Sequence, residues 1–305
     1  MSDPLDLDWR LRLAVFAHLA ELRGVRGIVT SDELDKGIDF EGARWPLWNR
    51  QKGIYAPGRQ RGGIGIALTI QTSYESPYDD DVDGDGDTLH YRYRGTDPHH
   101  ADNVALRRAG ELDRPIVYLV GVAPGRYEAL FPVYVTADDP ARLTFALRHG
   151  TAAGLRGPAH PDPAAESLER RYQTRAVQQR LHQRRFREQV LDAYARRCCV
   201  CRLRHEPLLD AAHIIADSAP HGLPEVPNGL AMCKIHHGAF DALILGVSPD
   251  YEVRIRADVL EEVDGPMLKH GLQELHGSRI ELPGSRRLRP RAEYLAERFE
   301  RFRAA

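Results

Sequence analysis

Four residues of metal-binding type occur as two short pairs in the second half of the chain, and this spacing constrains the fold more than any other feature. Cys198 and Cys201 form the first pair, and Cys233 and His236 form the second about thirty residues later. Two such pairs suit a closed tetrahedral Zn²⁺ site, which stabilises a segment too short to bury a large core. Cys199 lies between ligands and is expected to be a packed bystander. We therefore expect a structural zinc here.

Cysteine usage and the N-terminal sequence predict a cytoplasmic protein. All four cysteines lie in one segment, which indicates metal binding in a reducing compartment and not a secreted disulfide framework. The first residues, MSDPLDLDWR, are acidic and polar, so we expect no signal peptide. No apolar run approaches the length needed to cross a bilayer.

Charge is divided unevenly along the chain. The 305 residues are enough for two domains, each with its own core. Residues 1–150 carry 18 Lys and Arg against 23 Asp and Glu, whereas residues 151–305 carry 24 against 21. This asymmetry places any polyanion-facing surface mostly in the second half. We expect one domain at 1–150, a linker and basic helix at 151–197, and a second domain at 198–305.

The first region has the pattern of a mixed α+β unit. Residues 9–23 place Leu11, Val15, Leu19 and Leu22 on one face of an amphipathic helix. Another helix is expected to begin near Ser31, which we expect to be its N-cap. Short glycine-broken strands follow in GIYAP, GGIGIALTIQTSYE, TLHYRYRG, RPIVYLVGVAPG and RYEALFPVYVTADD, and their patterns suit a small β-barrel.

Residues 150–165 are rich in Gly, Pro and Ala and are expected to form a linker. The helix predicted over 163–197 contains nine Arg and four acidic residues. It is either a solvated connecting helix or a clamp on a phosphate backbone. Downstream, ILGVSPDYEVRI is expected to form a strand, and a final helix near 290–303 is expected to brace the module.

A second set of polar residues lies between and beside the metal-binding pairs. His213 interrupts an apolar strand-like run, LLDAAHII, and Asn228 follows in an NGL turn. His237 comes directly after the predicted zinc ligand His236. This order of His, Asn and His between two zinc pairs resembles the HNH nuclease family, which has the ββα-metal fold. The resemblance covers about residues 198–250 and implies metal-dependent hydrolysis of a phosphodiester.

By this resemblance, His213 is the general base. A neutral imidazole can accept a proton near pH 7, as this role requires. Asn228 fixes the loop that orients the base, and His237 holds one catalytic ion, Mg²⁺ or Mn²⁺ or another divalent cation.

The second ligand of that ion is less directly indicated. Family members often have it directly before the base, where this chain has Ala212. We favour Asp241, one helical turn after His237, and Asp210 is the alternative. The Cys-x-x spacing assigns His236 to zinc and His237 to catalysis, and the reverse assignment stays open.

The first region carries a further resemblance. Four short motifs occur in the order seen in the SRA family, PUA-like modules that flip modified cytosine out of DNA: Tyr78-Asp79-Asp80-Asp81-Val82-Asp83, Tyr93-Arg94-Gly95, Asn103-Val104-Ala105-Leu106 and Arg114-Pro115-Ile116-Val117. The resemblance covers roughly residues 50–135. The alternative is a plain hairpin with an exposed acidic loop.

The SRA resemblance implies a base pocket. Tyr78 and Tyr93 would stack on the flipped base, and Asp81 would accept a hydrogen bond from its exocyclic amine. Arg94 occupies a position where the family has Thr. DNA contacts in this acidic region would come from local arginines, namely Arg59, Arg61, Arg92 and Arg94.

Together these patterns predict an α+β protein with an N-terminal PUA/SRA-like β-barrel, a linker helix and a C-terminal ββα-metal HNH domain with structural zinc. The expected function is that of a type IV, modification-dependent restriction endonuclease on double-stranded DNA with 5-methyl- or 5-hydroxymethylcytosine. Because one HNH site cuts one strand, double-strand cleavage would predict a homodimer. The alternatives are an HNH nuclease that reads unmodified sequence or shape, and a non-catalytic zinc-containing DNA-binding protein.

Overall fold

The computed structural model describes residues 4–24, 27–57, 65–74, 89–150, 163–217, 219 and 221–305. For residues 163–175, 177 and 178 it describes the backbone alone. The chain divides into two compact units, Met1–Leu181 and His182–Ala305. The division falls inside the long basic helix. In the described residues, no helix has the length and apolar character that a membrane span requires.

The first unit begins with helix α1, Pro4–Arg23, which buries Leu11, Val15 and Leu19 as the sequence pattern predicts. Helix α2, Ser31–Asp35, follows strand β1, Val29–Thr30. The prediction of Ser31 as N-cap is wrong by one residue. The hydroxyl of Thr30 accepts from the Glu33 amide, and the Glu33 carboxylate accepts from the Thr30 amide, so these two residues form a capping box.

One curled sheet dominates this unit. Its strand order is β4-β5-β7-β8-β9-β6, with β1 on β8, and only β5 and β7 pair in parallel. Strands β2 and β3 form a separate hairpin, and helix α3 precedes β7. The bounds are β2 Ile38–Phe40, β3 Ala43–Trp45, β4 Ile54–Tyr55, β5 Thr69–Thr72, β6 Leu89–Arg92, α3 Ala101–Glu111, β7 Ile116–Ala123, β8 Arg126–Asp139 and β9 Thr144–His149. Strand β9 is not among the strands predicted from the sequence.

Strand β7 is buried along its whole length because an apolar layer covers each face of the sheet. Successive side chains of a strand point to opposite faces. Ile116, Tyr118 and Val120 pack in the cluster that contains α3, whereas Val117 and Leu119 pack in the cluster that contains α1. The alternation therefore divides the unit into two cores.

The sheet forms a half-barrel. Register shifts between Ile116 and Tyr118 and between Val135 and Ala137 mark irregularities of the kind that raise local twist. The hydroxyl of Tyr91 in β6 donates to the carbonyl oxygens of Gly53, at 2.7 Å, and Gln71, at 3.1 Å. The predicted α+β class is confirmed. Closure into a barrel stays a prediction, because residues 75–88 between β5 and β6 lie outside the described residues.

Helix α4, Pro163–Ala193, belongs partly to each unit. The predicted helix is confirmed, but it stops at Ala193 and not at residue 197. Ala195 and Arg196 have positive φ angles of 50° and 53°, and this left-handed backbone ends the helix. The predicted linker at 150–165 lies mostly outside the described residues.

The second unit is built on a short hairpin and a helix. Strand β10 pairs antiparallel with β11, and helix α5 follows β11 directly. The predicted single strand in ILGVSPDYEVRI is wrong, because β12 and β13 form a hairpin across a turn in which the Glu252 amide donates to the Ser248 hydroxyl. The bounds are β10 Leu209–His213, β11 Gly229–Cys233, α5 Lys234–Asp241, β12 Leu245–Val247, β13 Val253–Ile255, α6 Ala257–Glu261, α7 Pro266–Gly271 and α8 Ala292–Arg303.

One core joins the parts of the second unit. Phe186, Val190 and Leu191 of α4 pack against the β10–β11 hairpin, and Leu295 of α8 is fully buried in the same cluster. The final helix thus packs as the predicted brace. The hairpin and α5 therefore share one core with α4 and α8, which fixes the side chains described next.

Candidate metal and catalytic site

The two predicted metal-binding pairs come together at one end of the β10–β11 hairpin. The ligand atoms of Cys198, Cys201, Cys233 and His236 all lie within 4.8 Å of one another. The Cys201 and Cys233 sulfurs are 3.9 Å apart, and His236 Nδ1 lies 3.4 Å from the Cys198 sulfur and 3.1 Å from the Cys233 sulfur. A tetrahedron with Zn–S bonds of about 2.3 Å has edges of about 3.8 Å. The donor set therefore fits zinc.

The surroundings of this cluster support a closed structural site. The Nε2 atom of His236 lies 2.8 Å from the Gly271 carbonyl oxygen, which leaves Nδ1 to face the cysteines. Hydrogen bonds with Cys198 and Cys201 lower the pKa of the Cys233 thiol, and those with Cys198 and Cys233 raise the pKa of the Cys201 thiol. Three sulfurs at this spacing favour a shared cation. Cys199 is buried outside the cluster.

His213 ends strand β10, and its ring is half-buried. The ring of Phe186 stacks on it with centroids 3.9 Å apart and planes at 16°. Burial lowers the pKa of His213, against the nearby carboxylate of Asp217. Its Nε2 atom is buried and has no hydrogen-bond partner among the described residues. Burial therefore favours the neutral imidazole near pH 7, which is the form that can accept a proton.

Asn228 links the strand that ends at His213 to the strand that follows. Its side-chain oxygen accepts from the Ile215 amide at 2.9 Å, and its amide nitrogen donates to the carbonyls of Ile215 and Leu223, both at 3.0 Å. The Asn228 carbonyl also accepts from the Ile214 amide at 2.9 Å. The side chain is fully buried, so these bonds hold the loop after His213 without competition from water.

His237 lies on α5 between two carboxylates. Its Nδ1 atom is 3.6 Å from Asp210 in β10, and its Nε2 atom is 3.3 Å from Asp241, four residues along α5. Asp210 raises the pKa of His237, against the effect of burial. Burial raises the pKa of Asp210, but His237 and the Ala211 amide lower it further, so it lies below its usual value. An octahedral Mg²⁺ with bonds near 2.1 Å separates adjacent ligands by about 3 Å. Either carboxylate could therefore share an ion with His237. Asp210 would do so beside Nδ1, and Asp241 beside Nε2.

Helix α4 contributes residues to the site that the sequence did not indicate. Arg187 donates to the Leu209 carbonyl at 2.9 Å, and its Nε lies 3.6 Å from Asp210. Glu188 is buried between Arg187 and Arg196, at 2.6 and 2.8 Å. Nothing in a helix rich in arginine marks these positions. Arg187 thus makes contacts inside the protein, which differs from both a solvated connecting helix and a clamp on a phosphate backbone. The side chains of three other arginines of this helix, Arg170, Arg171 and Arg175, lie outside the described part.

The predicted base-binding residues lie in the first unit. Tyr78 and Asp81 lie outside the described residues, as do Arg59 and Arg61. Tyr93 is buried, with Phe145 stacked on one ring face at 4.6 Å and its hydroxyl bonded to Asp138. At most one face of this ring can contact a base.

Arg94 follows Tyr93 on the surface. Its guanidinium pairs with Asp102, and its backbone amide donates to the side chain of Asn103 at 2.8 Å. Asn103 is fully buried and also donates to the carbonyls of Arg94 and Asp97. The Tyr-Arg-Gly and Asn-Val-Ala-Leu motifs therefore meet in space.

Comparison with known proteins agrees with the geometry of the second unit. A family model described as HNH endonuclease matches residues 198–248. This segment is an HNH endonuclease domain. Comparison with curated proteins gives no match.

One solved structure is described as a "Modification dependent TagI restriction endonuclease". The match covers 83% of this chain and 86% of that chain, with 18% sequence identity and a TM-score of 0.31.

Proposed function

We propose that this protein is a DNA endonuclease that recognises modified cytosine and hydrolyses phosphodiester bonds at the HNH site. The observation that carries the proposal is the arrangement around α5. A cluster that fits zinc includes His236 of this helix, and on a different face of the helix His237 stands between two carboxylates. His213 ends the strand that carries Asp210.

His213 acts as the general base. It takes a proton from the attacking water as the new bond between the water oxygen and phosphorus forms. The bond between phosphorus and the leaving oxygen breaks, and the leaving oxygen takes up a proton from solvent. Burial keeps the imidazole neutral, and general-base catalysis of this kind contributes roughly 10²- to 10⁴-fold.

Asn228 and His237 have separate tasks. Asn228 holds the loop that begins at Ile214, so the end of β10 keeps its position. His237 and Asp241 would hold the catalytic Mg²⁺ or Mn²⁺, with Asp210 as the alternative carboxylate. When bound, this ion stabilises negative charge on the phosphate and the leaving oxygen.

The substrate proposal rests on the SRA resemblance of the first unit. Tyr78, Asp81, Tyr93 and Arg94 would form the pocket for a flipped 5-methyl- or 5-hydroxymethylcytosine. The bonds between Arg94 and Asn103 support this assignment, because they join two of the motifs that carry the resemblance. Because one HNH site cuts one strand, double-strand cleavage would predict a homodimer with two HNH sites. The assignment of the chain to type IV restriction is part of the same proposal.

The test is cleavage of paired duplexes of identical sequence that differ only in cytosine, 5-methylcytosine or 5-hydroxymethylcytosine, with Mg²⁺ or Mn²⁺ present. We expect cleavage of a modified duplex alone. Equal cleavage of all three duplexes would overturn the reader and keep the nuclease. If zinc-loaded protein cut none of them, the nuclease proposal would fail for these substrates, and binding without cleavage would favour the non-catalytic alternative.

A further inference from the structure

We propose that Phe186 of helix α4 is a positioning residue that holds the imidazole of His213 in the orientation needed for proton transfer. The inference deepens the proposed function and rests on the role of His213 as base. It gives the basic helix a role in the chemistry of the HNH site. Phe186 lies outside the segment 198–248 that matches the HNH family.

The contact between the two rings is close and nearly parallel. The ring centroids lie 3.9 Å apart, and the ring planes differ by 16°. Phe186 is 2% exposed and belongs to the core of the second unit, so its ring cannot move without disturbing that core. A half-buried imidazole against this fixed face is limited in its rotation.

Stacking replaces the usual hydrogen bond to a base. In many enzymes, a general-base histidine is held by a third group that bonds its second nitrogen. Across the part of the chain described, no hydrogen bond engages the His213 ring, and Nε2 is buried without a partner. His236, by contrast, is bonded at both nitrogens. Among the described residues, the Phe186 ring makes the aromatic contact that can orient the His213 ring.

Gly229 makes room for this arrangement. It stands directly opposite His213 in the β10–β11 register. A Cβ atom at Gly229 would lie 2.4 Å from Val190 Cγ2, 2.9 Å from Phe186 Cζ and 3.1 Å from Phe186 Cε2. The φ of Gly229 is −127°, which any residue adopts, so the glycine is required by the close approach of α4 and not by its backbone conformation.

The neighbouring residue fixes the helix at this point. Arg187 donates to the carbonyl of Leu209, the first residue of β10, at 2.9 Å. One turn of α4 therefore contacts both ends of β10, through Arg187 at Leu209 and through Phe186 at His213.

The test compares Phe186→Leu with a matched control, Phe302→Leu. Phe302 lies on α8 and packs over Gly246 in β12 as Phe186 packs over Gly229, since a Cβ atom at Gly246 would lie only 2.6 Å from the Phe302 ring. Both full-length, zinc-loaded variants lose a ring and keep an apolar side chain. Because a displacement of about 1 Å can cost up to 10²-fold in rate, we expect Phe186→Leu to lower kcat at least about tenfold with KM unchanged. Phe302→Leu should retain wild-type kcat.

Nuclear magnetic resonance measures the stacking of the two rings directly, separately from the cleavage rate. In protein with ¹³C-labelled histidine, the ring protons of His213, assigned by their loss in His213→Ala, should be shifted upfield by the Phe186 ring current. This shift should disappear in Phe186→Leu and persist in Phe302→Leu. If Phe186→Leu does not fold, the chemical shift in wild-type protein still shows whether the Phe186 ring stacks on His213.

The outcomes separate this inference from the proposed function. Cleavage by wild type and loss of cleavage in His213→Ala support the base. If Phe186→Leu then cleaves at the wild-type rate, or if wild-type His213 shows no ring-current shift, the positioning role is overturned and the nuclease stands. Wild-type protein that cuts no DNA overturns both.

Discussion

His236 and His237 are neighbours on α5, yet the structure gives them opposite surroundings. His236 is 3% exposed, with one nitrogen toward two cysteines and the other at a backbone carbonyl. His237 is partly exposed, and its two nitrogens face the half-buried carboxylate of Asp210 and the exposed carboxylate of Asp241. Adjacent residues of a helix point about 100° apart, so one short helix presents the two histidines to different surroundings.

The difference separates a closed site from an open one. Four protein ligands complete a tetrahedron and leave no position for a substrate, which is typical of structural zinc. A site with two or three protein ligands leaves positions for water and phosphate, which catalysis requires. The cysteine cluster therefore fixes the frame, and the open side of α5 presents reactive groups.

The largest expected effect comes from removing a ligand of the closed site. Cys233→Ser should lose zinc and unfold the second unit, because structural zinc contributes about 10–16 kcal/mol in small zinc-binding peptides, as much as a whole domain's stability. Zinc content by mass spectrometry and thermal melting would show this. Cys199→Ala is the control, since Cys199 is a buried cysteine outside the cluster. A zinc-loaded, folded Cys233→Ser protein would contradict the structural assignment.

A paired substitution tests the two histidines directly. Under the proposed assignment, His236→Ala should lose zinc and the fold, whereas His237→Ala should keep both and lose cleavage by about 10²-fold or more, because the catalytic ion would lose a ligand. Zinc content and the cleavage rate are measured on the same preparations. If His237→Ala lost zinc and His236→Ala kept it, the two assignments would have to be exchanged.

A smaller effect should distinguish the two carboxylates. Asp241→Asn and Asp210→Asn remove a charge from opposite sides of the His237 ring. Under the proposed assignment, Asp241→Asn should raise the Mg²⁺ concentration for half-maximal cleavage about tenfold or more, as expected for a weakened ligand set. Asp210→Asn should change it less. The opposite order would make Asp210 the ligand.

The smallest effect concerns pH. Burial lowers the pKa of His213, so its neutral, proton-accepting form persists to more acidic solution than that of an ordinary imidazole with a pKa of 6.5. With saturating Mg²⁺, kcat should therefore fall only below about pH 6.5, as protonation removes the base.

Asp210 raises the pKa of His237, so protons compete there with the ion. At low Mg²⁺, the loss of activity on the acid side of the pH–rate profile should therefore begin at a higher pH. Added Mg²⁺ should shift it to a lower pH. An acid limb above pH 7 that did not respond to Mg²⁺ would argue against His213 as base.

The sequence is most informative where local spacing determines structure. The two metal-binding pairs, the β10–β11 hairpin and α5 follow from residues close together in the chain, and their geometry matches the predicted zinc ligands. The predicted fixing of the loop by Asn228 has matching hydrogen bonds, although its catalytic role stays a prediction. Helix α1 is also predictable, because its apolar residues repeat with the helical period.

Long-range contacts cannot be predicted in this way. The contacts of Phe186 with His213 and of Arg187 with β10 join residues 22 or more positions apart, and no local pattern marks them. The cap of helix α2 is different, because only Thr30 is followed three residues later by Glu, so the capping-box pattern in the sequence favours Thr30 over Ser31. The turn between β12 and β13 is also marked in the sequence, because Ser248, Pro249 and Asp250 are turn-forming residues, and the prediction of one strand gave more weight to the apolar flanks.

Cleavage by wild type and His213→Ala, with zinc content measured on both, tests the central claim most directly. The account predicts that wild-type protein cuts DNA with Mg²⁺ or Mn²⁺. It predicts that His213→Ala binds the same DNA and the same zinc but cuts at least about 10²-fold more slowly, the size of a lost general base. A His213→Ala protein that cuts at the wild-type rate would contradict it.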